Sequence, residues 1–358
     1  MAELRKNPIS GRWVIFSTHR GKRPSDFRNH EQHKEAGAAE ATPGGAVCAF
    51  CAGHESEGGG NVLVLGGSSD QQTASNWLVR VAMNIFPAVS SDPKYWSRGK
   101  SREGPPYEGC FLKGLGSHEV VIETPDHNVS FVDLPVSHVE EVLKAFQARV
   151  LYFRKEKVLK YCQIFKNQGG PAGASMSHSH SQIIALPIIP KDIQDEIHCA
   201  KTYFKQHQRC LLCDIISKEL EYNVRVIGAF TRFVVLSPYA AAFPYESWIV
   251  PLKHSSNFEG MDDQEVQNLA EILKSTLTKL NALFNFPPYN YTIQTSPLQE
   301  PWNAPYFHWY IRIIPHLTIL AGFELATDCH INPVFPEEVA KLLQQGSTDL
   351  MTKKPLQS

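Results

Sequence analysis

Glu119-Val120-Val121-Ile122-Glu123-Thr124-Pro125-Asp126-His127 and Glu246-Ser247-Trp248-Ile249-Val250-Pro251-Leu252-Lys253-His254 share one design: a short β-rich run, a three-residue break and a histidine. Upstream of each lies a Cys-x2-Cys pair, Cys48/Cys51 and Cys210/Cys213. Downstream of each comes an amphipathic stretch. The first carries Val139, Val142, Leu143, Phe146 and Val150, the second Val266, Leu269, Ile272, Leu273, Leu277 and Leu280. Both have the spacing of a helix with one apolar side. Capping boxes are expected at their starts, Ser137 with Glu140 and Asp262 with Glu265. Two β-rich runs follow in each case, residues 161–165 and 178–186, then residues 291–294 and 308–314, and the second of each pair opens on another histidine. The chain therefore reads as two imperfect copies of one unit. The expected fold is α+β: two half units, each an antiparallel sheet with a long helix packed on it. Their boundary is placed after the Pro187 and Pro190 punctuation, giving an N-terminal domain of 1–195 and a C-terminal domain of 196–358.

The 358 residues suffice for two cores. Lys plus Arg total 35 against 36 for Asp plus Glu, so no global field draws the chain to nucleic acid or an anionic membrane. No apolar run approaches the roughly 18 residues of a membrane span. Met1 to Pro8 has no apolar core of a secretory signal, which points to a reducing, cytoplasmic setting. There, Cys-x2-Cys favours a metal over a disulfide. One such pair alone also fits accidental spacing; the same order of ligands twice does not. Cys48, Cys51, His127 and His178 form one closed four-ligand set, and Cys210, Cys213, His254 and His308 the other. Both suit structural zinc, two ions per chain, with no position left for water. Cys110, Cys162, Cys199 and Cys329 have no partner in sequence and are read as packing residues. Residues 29–46 and 90–109, rich in Gly, Pro and charge or in Ala and Glu, are read as irregular loops without an assigned role.

The two copies differ where chemistry is expected. In the first, the small-residue run Asn167-Gln168-Gly169-Gly170-Pro171-Ala172-Gly173-Ala174-Ser175-Met176-Ser177 feeds His178-Ser179-His180-Ser181-Gln182. Without bulky side chains, backbone N–H groups can approach an anion closely. Residues two apart on a strand share a face, so His178, His180 and Gln182 point the same way. A neutral imidazole with one nitrogen tied to an acceptor is a good nucleophile toward phosphorus, the role given to His180. Gln182 is assigned to a non-bridging phosphate oxygen as charge develops there. Alone, His180 would be a packed polar strand residue; the loop and the neighbouring ligand make it a catalytic candidate. In the second copy Tyr310 and Arg312 hold these positions while His308 persists, so that half keeps structure only.

His178-Ser-His180-Ser-Gln182 resembles the His-x-His-x-Gln motif of the branched histidine-triad nucleotidyltransferases, the galactose-1-phosphate uridylyltransferase family. Arg12-Trp13-Val14 with His19-Arg20-Gly21-Lys22-Arg23-Pro24 resembles that family's amino-terminal phosphate-contacting stretch. Arg80-Val81-x-x-Asn84 resembles its nucleotide-contacting segment, and Val250-Pro-Leu-Lys-His254 its strand-to-histidine signature. Thr124-Pro-Asp-His127 is similar to its zinc histidine segment, and Gly322-Phe323-Glu324 to its carboxy-terminal substrate loop. The resemblance implies two histidine-triad-like half units and a covalent nucleotidyl-His180. It implies phosphate contacts from Arg20, Lys22 and Arg23 and nucleotide contacts from Asn84, Asn167, Gly173, Ala174, Ser175 and Met176. Phe323 and Glu324 would meet the sugar, and homodimers are usual. Uridylyl-transferring members usually carry Pro and Gly where this chain has Ser179 and Ser181; the Ser version is similar to the plant-type branch that cleaves ADP-glucose with phosphate. That branch implies a nucleotide sugar, ADP-glucose, with phosphate or a sugar 1-phosphate as partner, and neither nucleic acid nor membrane. Two alternatives stay open: uridylyl transfer between UDP-glucose and a hexose 1-phosphate, or a non-catalytic, zinc-stabilised nucleotide-binding protein.

Overall fold

The computed structural model describes residues 3–16, 48–66, 77–92 and 114–352. Arg20, Lys22 and Arg23 lie outside these residues, as do Cys110, the stretch 29–46 and most of 90–109. Strands β3 (Asn61–Leu65), β4 (Val79–Met83), β5 (Ser117–Ile122), β6 (Tyr161–Gln168) and β7 (His180–Leu186) belong to the first half. Strands β8 (Val226–Ala229), β9 (Phe233–Leu236), β10 (Ser247–Pro251), β11 (Tyr289–Gln294) and β12 (Tyr310–Pro315) belong to the second. The two halves repeat strand for strand. They are not two separate sheets: β6 pairs with β11, with Tyr291 opposite Lys166 and Ile293 opposite Ile164. One ten-stranded antiparallel sheet results, in the order β3-β4-β5-β7-β6-β11-β12-β10-β9-β8, symmetric about that seam.

Alternation along the strands sorts their side chains. On β7, Ile183 and Ala185 are fully buried toward the helices, which sends His180, Gln182 and Ile184 to the other face. Helices α1 (Val136–Arg154) and α2 (Asp263–Phe284) lie side by side on the first face, and every apolar position named above for them is buried. A buried ion pair, Arg149 to Glu119 at 2.6 and 2.7 Å, ties α1 to β5. Two further helices, α3 (Lys191–His207) and α4 (Leu211–Tyr222), link the halves, and residues 195 and 196 lie inside α3. A small sheet joins β1 (Glu3–Lys6), β2 (Trp13–Phe16) and β13 (His330–Asn332), with β13 parallel to β2. A short helix α5 (Gly322–Thr327) precedes β13, and α6 (Pro336–Thr352) is the last of the described elements. No helix of the described residues is long and apolar enough to cross a membrane.

The capping box of α2 is present, with Glu265 N–H donating to Asp262 Oδ1 at 2.7 Å and Asp262 N–H to Glu265 Oε2 at 3.0 Å. The one expected at Ser137 is absent. α1 starts earlier, with Pro135 as its N-cap: the proline carbonyl accepts from His138 and Val139, and Ser137 falls within the first turn. Proline's fixed φ presets that entry without a side-chain cap. Asp262→Ala should therefore cost about 1 kcal/mol of stability in urea unfolding, while Ser137→Ala should stay within about 0.5 kcal/mol of the parent. Equal losses would show that Ser137 caps after all.

Candidate active site

Each Cys-x2-Cys turn meets two histidines from elsewhere in its half. In the first set Cys48, Cys51, His127 and His178 bring their donor atoms within 4.8 Å of one another, and Cys210, Cys213, His254 and His308 do the same in the second. Measured Sγ to Nδ1 separations are 3.5 to 3.7 Å in the first set and 3.4 Å in the second. A tetrahedral zinc with ordinary bond lengths sets S···N edges of about 3.6 Å, so both sets fit that ion. His178 donates Nε2–H to the Thr124 carbonyl at 2.8 Å and His254 donates to the Ala304 carbonyl at 3.3 Å, which leaves Nδ1 of each as the ligand. Burial pushes the His178 imidazole down to about 4, keeping it neutral. The first loop is further stitched down by Arg80, fully buried, which reaches the Ala49 carbonyl and Asn61 Oδ1 at 3.1 Å each. Arg80 thus supports the cysteine turn.

His178 lies two residues before the start of β7 and anchors the chain that enters it. Two residues on, His180 is 5% exposed, and its Nδ1–H donates to the His178 carbonyl at 2.8 Å. That bond fixes the tautomer and leaves the Nε2 lone pair free as a nucleophile. Burial, and then the positive charge of Lys166, hold its pKa below the ordinary value, so the ring is neutral near pH 7. Phe50, between the two cysteines of the turn, packs edge-on against both His178 and His180. Gln182 lies next along the same face, with Oε1 accepting from His118 at 2.8 Å. His118 belongs to neither metal set.

Ser179 and Ser181 point to the opposite face. Both donate to the Glu123 carboxylate, at 2.6 and 2.5 Å. Lys166 Nζ, 1% exposed, meets Glu123 Oε2 at 2.5 Å, Ser179 Oγ at 3.2 Å and the His180 carbonyl at 3.0 Å. Tyr291 of β11 completes the cluster at 2.9 Å from Ser181 Oγ.

The small-residue loop is held by two asparagines. Asn167 donates to the Gly173 carbonyl at 3.3 Å, and Asn290 bridges Asn167 Oδ1 and the Ala172 carbonyl at 2.8 and 2.9 Å. Gly173 has φ +90°, a left-handed conformation that strains any residue with a Cβ, so glycine is favoured there. Ala174, Ser175 and Met176 continue the loop into His178. Asn84 reaches the site through His118, 3.2 Å from its Nε2. Phe323 and Glu324 sit on the exposed α5, where the hydrogen bonds of both are local. Phe50, Lys166, Glu123, His118 and Asn290 are the functional neighbours that spacing did not reveal. Phe50 carried a positional cue, lying inside the Cys-x2-Cys turn.

In the second half Tyr310 donates to Glu196 at 3.2 Å and its ring tilts against Trp248, while Arg312 is locked on Glu246 at 2.6 and 3.1 Å. These groups are spent on one another and leave no nucleophile. A cavity of about 590 Å³ opens on this face between Arg12, Gln163, Ile184, Tyr310 and His330; neither His180 nor Gln182 lines it.

A metal-capable His/Cys set beside a tautomer-fixed histidine and a glycine-rich loop, built twice with one copy degenerate, defines a class. The chain belongs to the galactose-1-phosphate uridyl transferase family, a family of nucleotidyl-transferring enzymes: its N-terminal domain model matches residues 1–190 and its C-terminal domain model residues 196–347. Among particular relatives, an ADP-glucose phosphorylase of Arabidopsis thaliana is 39% identical over 350 residues, covering 96% of this chain and 93% of the relative. A crystal structure of an Arabidopsis ADP-glucose phosphorylase with bound ADP-glucose superposes with TM-score 0.79 at 37% identity, covering 96% of this chain and 99% of that one. A galactose-1-phosphate uridylyltransferase of Thermotoga maritima is 28% identical, covering 98% of this chain and all of the relative.

Lys166→Met strands the buried Glu123 without its cation, which should cost about 3–5 kcal/mol in urea unfolding. An unchanged midpoint would mean that the pair is not holding the strand.

Proposed function

We propose that this protein transfers the adenylyl group of ADP-glucose to phosphate, giving ADP and glucose 1-phosphate, through a covalent nucleotidyl-His180. The observation that carries the reading is His180 itself: a buried imidazole with Nδ1–H tied to a carbonyl and Nε2 unencumbered, beside Gln182. Nε2 attacks the α-phosphorus of ADP-glucose, the bond to the bridging oxygen breaks, and glucose 1-phosphate leaves. The positive charge gained by the ring is met at Nδ1–H by the His178 carbonyl. A phosphate oxygen then attacks the same phosphorus, the N–P bond breaks, and ADP departs with the neutral imidazole restored. Gln182 donates to a non-bridging oxygen in both steps, and the loop amides of residues 173–176, with Asn167 and Asn84, hold the nucleotide. Arg20, Lys22 and Arg23 neutralise phosphates, and Phe323 and Glu324 meet the sugar of the nucleotide. The higher identity to the ADP-glucose phosphorylase, 39% against 28% for the uridylyltransferase, favours adenylyl over uridylyl transfer.

The two Cys2His2 sets bind one structural zinc each. When bound, the metal fixes the cysteine turn to β7 and takes no part in the transfer. None of the seven described cysteines is in a disulfide, which suits a reducing cytoplasm. Exposed apolar side chains around α5, Ile319 at 94% and Leu325 at 73%, suit a homodimer contact.

With ADP-glucose and no phosphate, the enzyme should exchange labelled glucose 1-phosphate into the sugar nucleotide and acquire stoichiometric AMP. That linkage should be labile in acid and stable in alkali, as phosphoramidates of imidazole are. His180→Gly should abolish labelling while leaving the melting temperature nearly unchanged. Exchange that strictly requires phosphate, in enzyme active in the full reaction, would overturn the covalent role.

Elemental analysis should find two zinc ions per chain, and Cys213→Ser should remove one of them and lower the melting temperature. Full metal content in that variant would refute the second set.

A further inference from the structure

His118 is a buried titratable group outside both metal sets, and its surroundings leave it one arrangement of hydrogens. On β5 it pairs in register with Ile184 of β7, so it shares the face of Gln182 and reaches it diagonally. The Ala88 backbone N–H, which can only donate, bonds His118 Nδ1 at 3.1 Å. A neutral ring so engaged carries its hydrogen on Nε2, and Nε2 lies 2.8 Å from Gln182 Oε1. The Asn84 amide nitrogen packs 3.2 Å from the same ring nitrogen, but Asn84 Oδ1 is committed to Phe86 N–H at 2.8 Å, so Asn84 offers no competing acceptor. The ring is 7% exposed, and burial pushes its pKa down, which favours the neutral form.

We propose that His118 is a positioning residue for the transfer reaction: by donating Nε2–H to Gln182 Oε1 it fixes the carboxamide with its NH2 group turned toward the reacting phosphate. The inference rests on the function proposed above. The two ends of a carboxamide are nearly equal in size, so an untethered glutamine turns over freely and presents oxygen to a phosphoryl oxygen in half of its orientations. Among the described residues no recorded protein bond occupies the Gln182 amide nitrogen, which leaves both of its hydrogens for ligand. The tether reaches the backbone through two bonds, Gln182 to His118 and His118 to Ala88.

His118→Asn retains an acceptor near Ala88 but is too short to reach Gln182. It should lower kcat of glucose 1-phosphate exchange about 10- to 100-fold, the scale of a small misplacement in a reacting site, with KM for ADP-glucose changed less than about threefold. His118→Gln, whose Nε2 hydrogens reach where the ring hydrogen was, should recover most of that loss. In a Gln182→Ala background His118→Asn should cost nothing further. An equal loss in both backgrounds, or failure of His118→Gln to recover activity at an unchanged melting temperature, would overturn the positioning role. If wild-type protein shows no exchange with any nucleotide sugar, the function falls, and the tether is judged by nitrogen-15 histidine spectra of the full chain. These should show His118 as the Nε2–H tautomer, with that proton exchanging faster in Gln182→Ala; an Nδ1–H tautomer would overturn the proposal.

Discussion

A lysine and a glutamate, both removed from water beneath the active strand, set the constraint on which the site depends. Lys166 and Glu123 are 1% and 0% exposed, and charges so placed are tolerable only if their hydrogen-bonding capacity is used. Here it is: the ammonium meets Glu123, Ser179 and the His180 carbonyl, and the carboxylate takes both serine hydroxyls. The cluster ties β7 to the end of β5, to β6 and, through Tyr291, to the opposite half of the sheet. Its effect is felt on the other face, because a strand held at every alternate residue presents the remaining ones at fixed heights. His180 and Gln182 inherit their positions from Ser179 and Ser181. The serines that distinguish this motif from a Pro and Gly version therefore belong to the support of the site, and their contacts are with protein groups.

Much of this was legible in the residues. Period-two alternation put His178, His180 and Gln182 on one face, helical spacing marked both long helices, and the repeated order of Cys, His and His assembled both ligand sets. What escaped depends on partners distant in sequence. Lys166 sits in an alternating strand and looks like a solvent-facing residue; its burial follows from Glu123, 43 positions away. The repeated order of ligands placed His127 with the cysteines, whereas the contact of His118 with Gln182 follows from strand register alone. The join of β6 to β11 has no local signature either, since both strands are apolar on one face whether or not they meet. Ser137 misled for the opposite reason: the local motif was intact, but a proline two residues earlier had already started the helix.

The second half keeps the frame without the residues to which the proposed transfer is assigned. Its ligand set and its strands are intact, while the two positions that would act on a substrate are filled by Tyr310 and Arg312, each with a partner of its own. Glu246 satisfies Arg312 and also accepts from the Trp248 indole at 2.9 Å, so the site is closed by hydrogen bonds. The ligand set is thus retained where the His and Gln of the proposed transfer are not.

The seam between β6 and β11 bears on how such a protein is made. Each half, released from the ribosome or cut from its twin, would end in a long unprotected edge strand, Tyr161–Gln168 in one case and Tyr289–Gln294 in the other. Open edges of that kind recruit other chains. The first half finishes synthesis well before β11 emerges, so during that interval its edge has no native neighbour on the same polypeptide. The place where the two copies were joined therefore makes each half the cover for the other's edge.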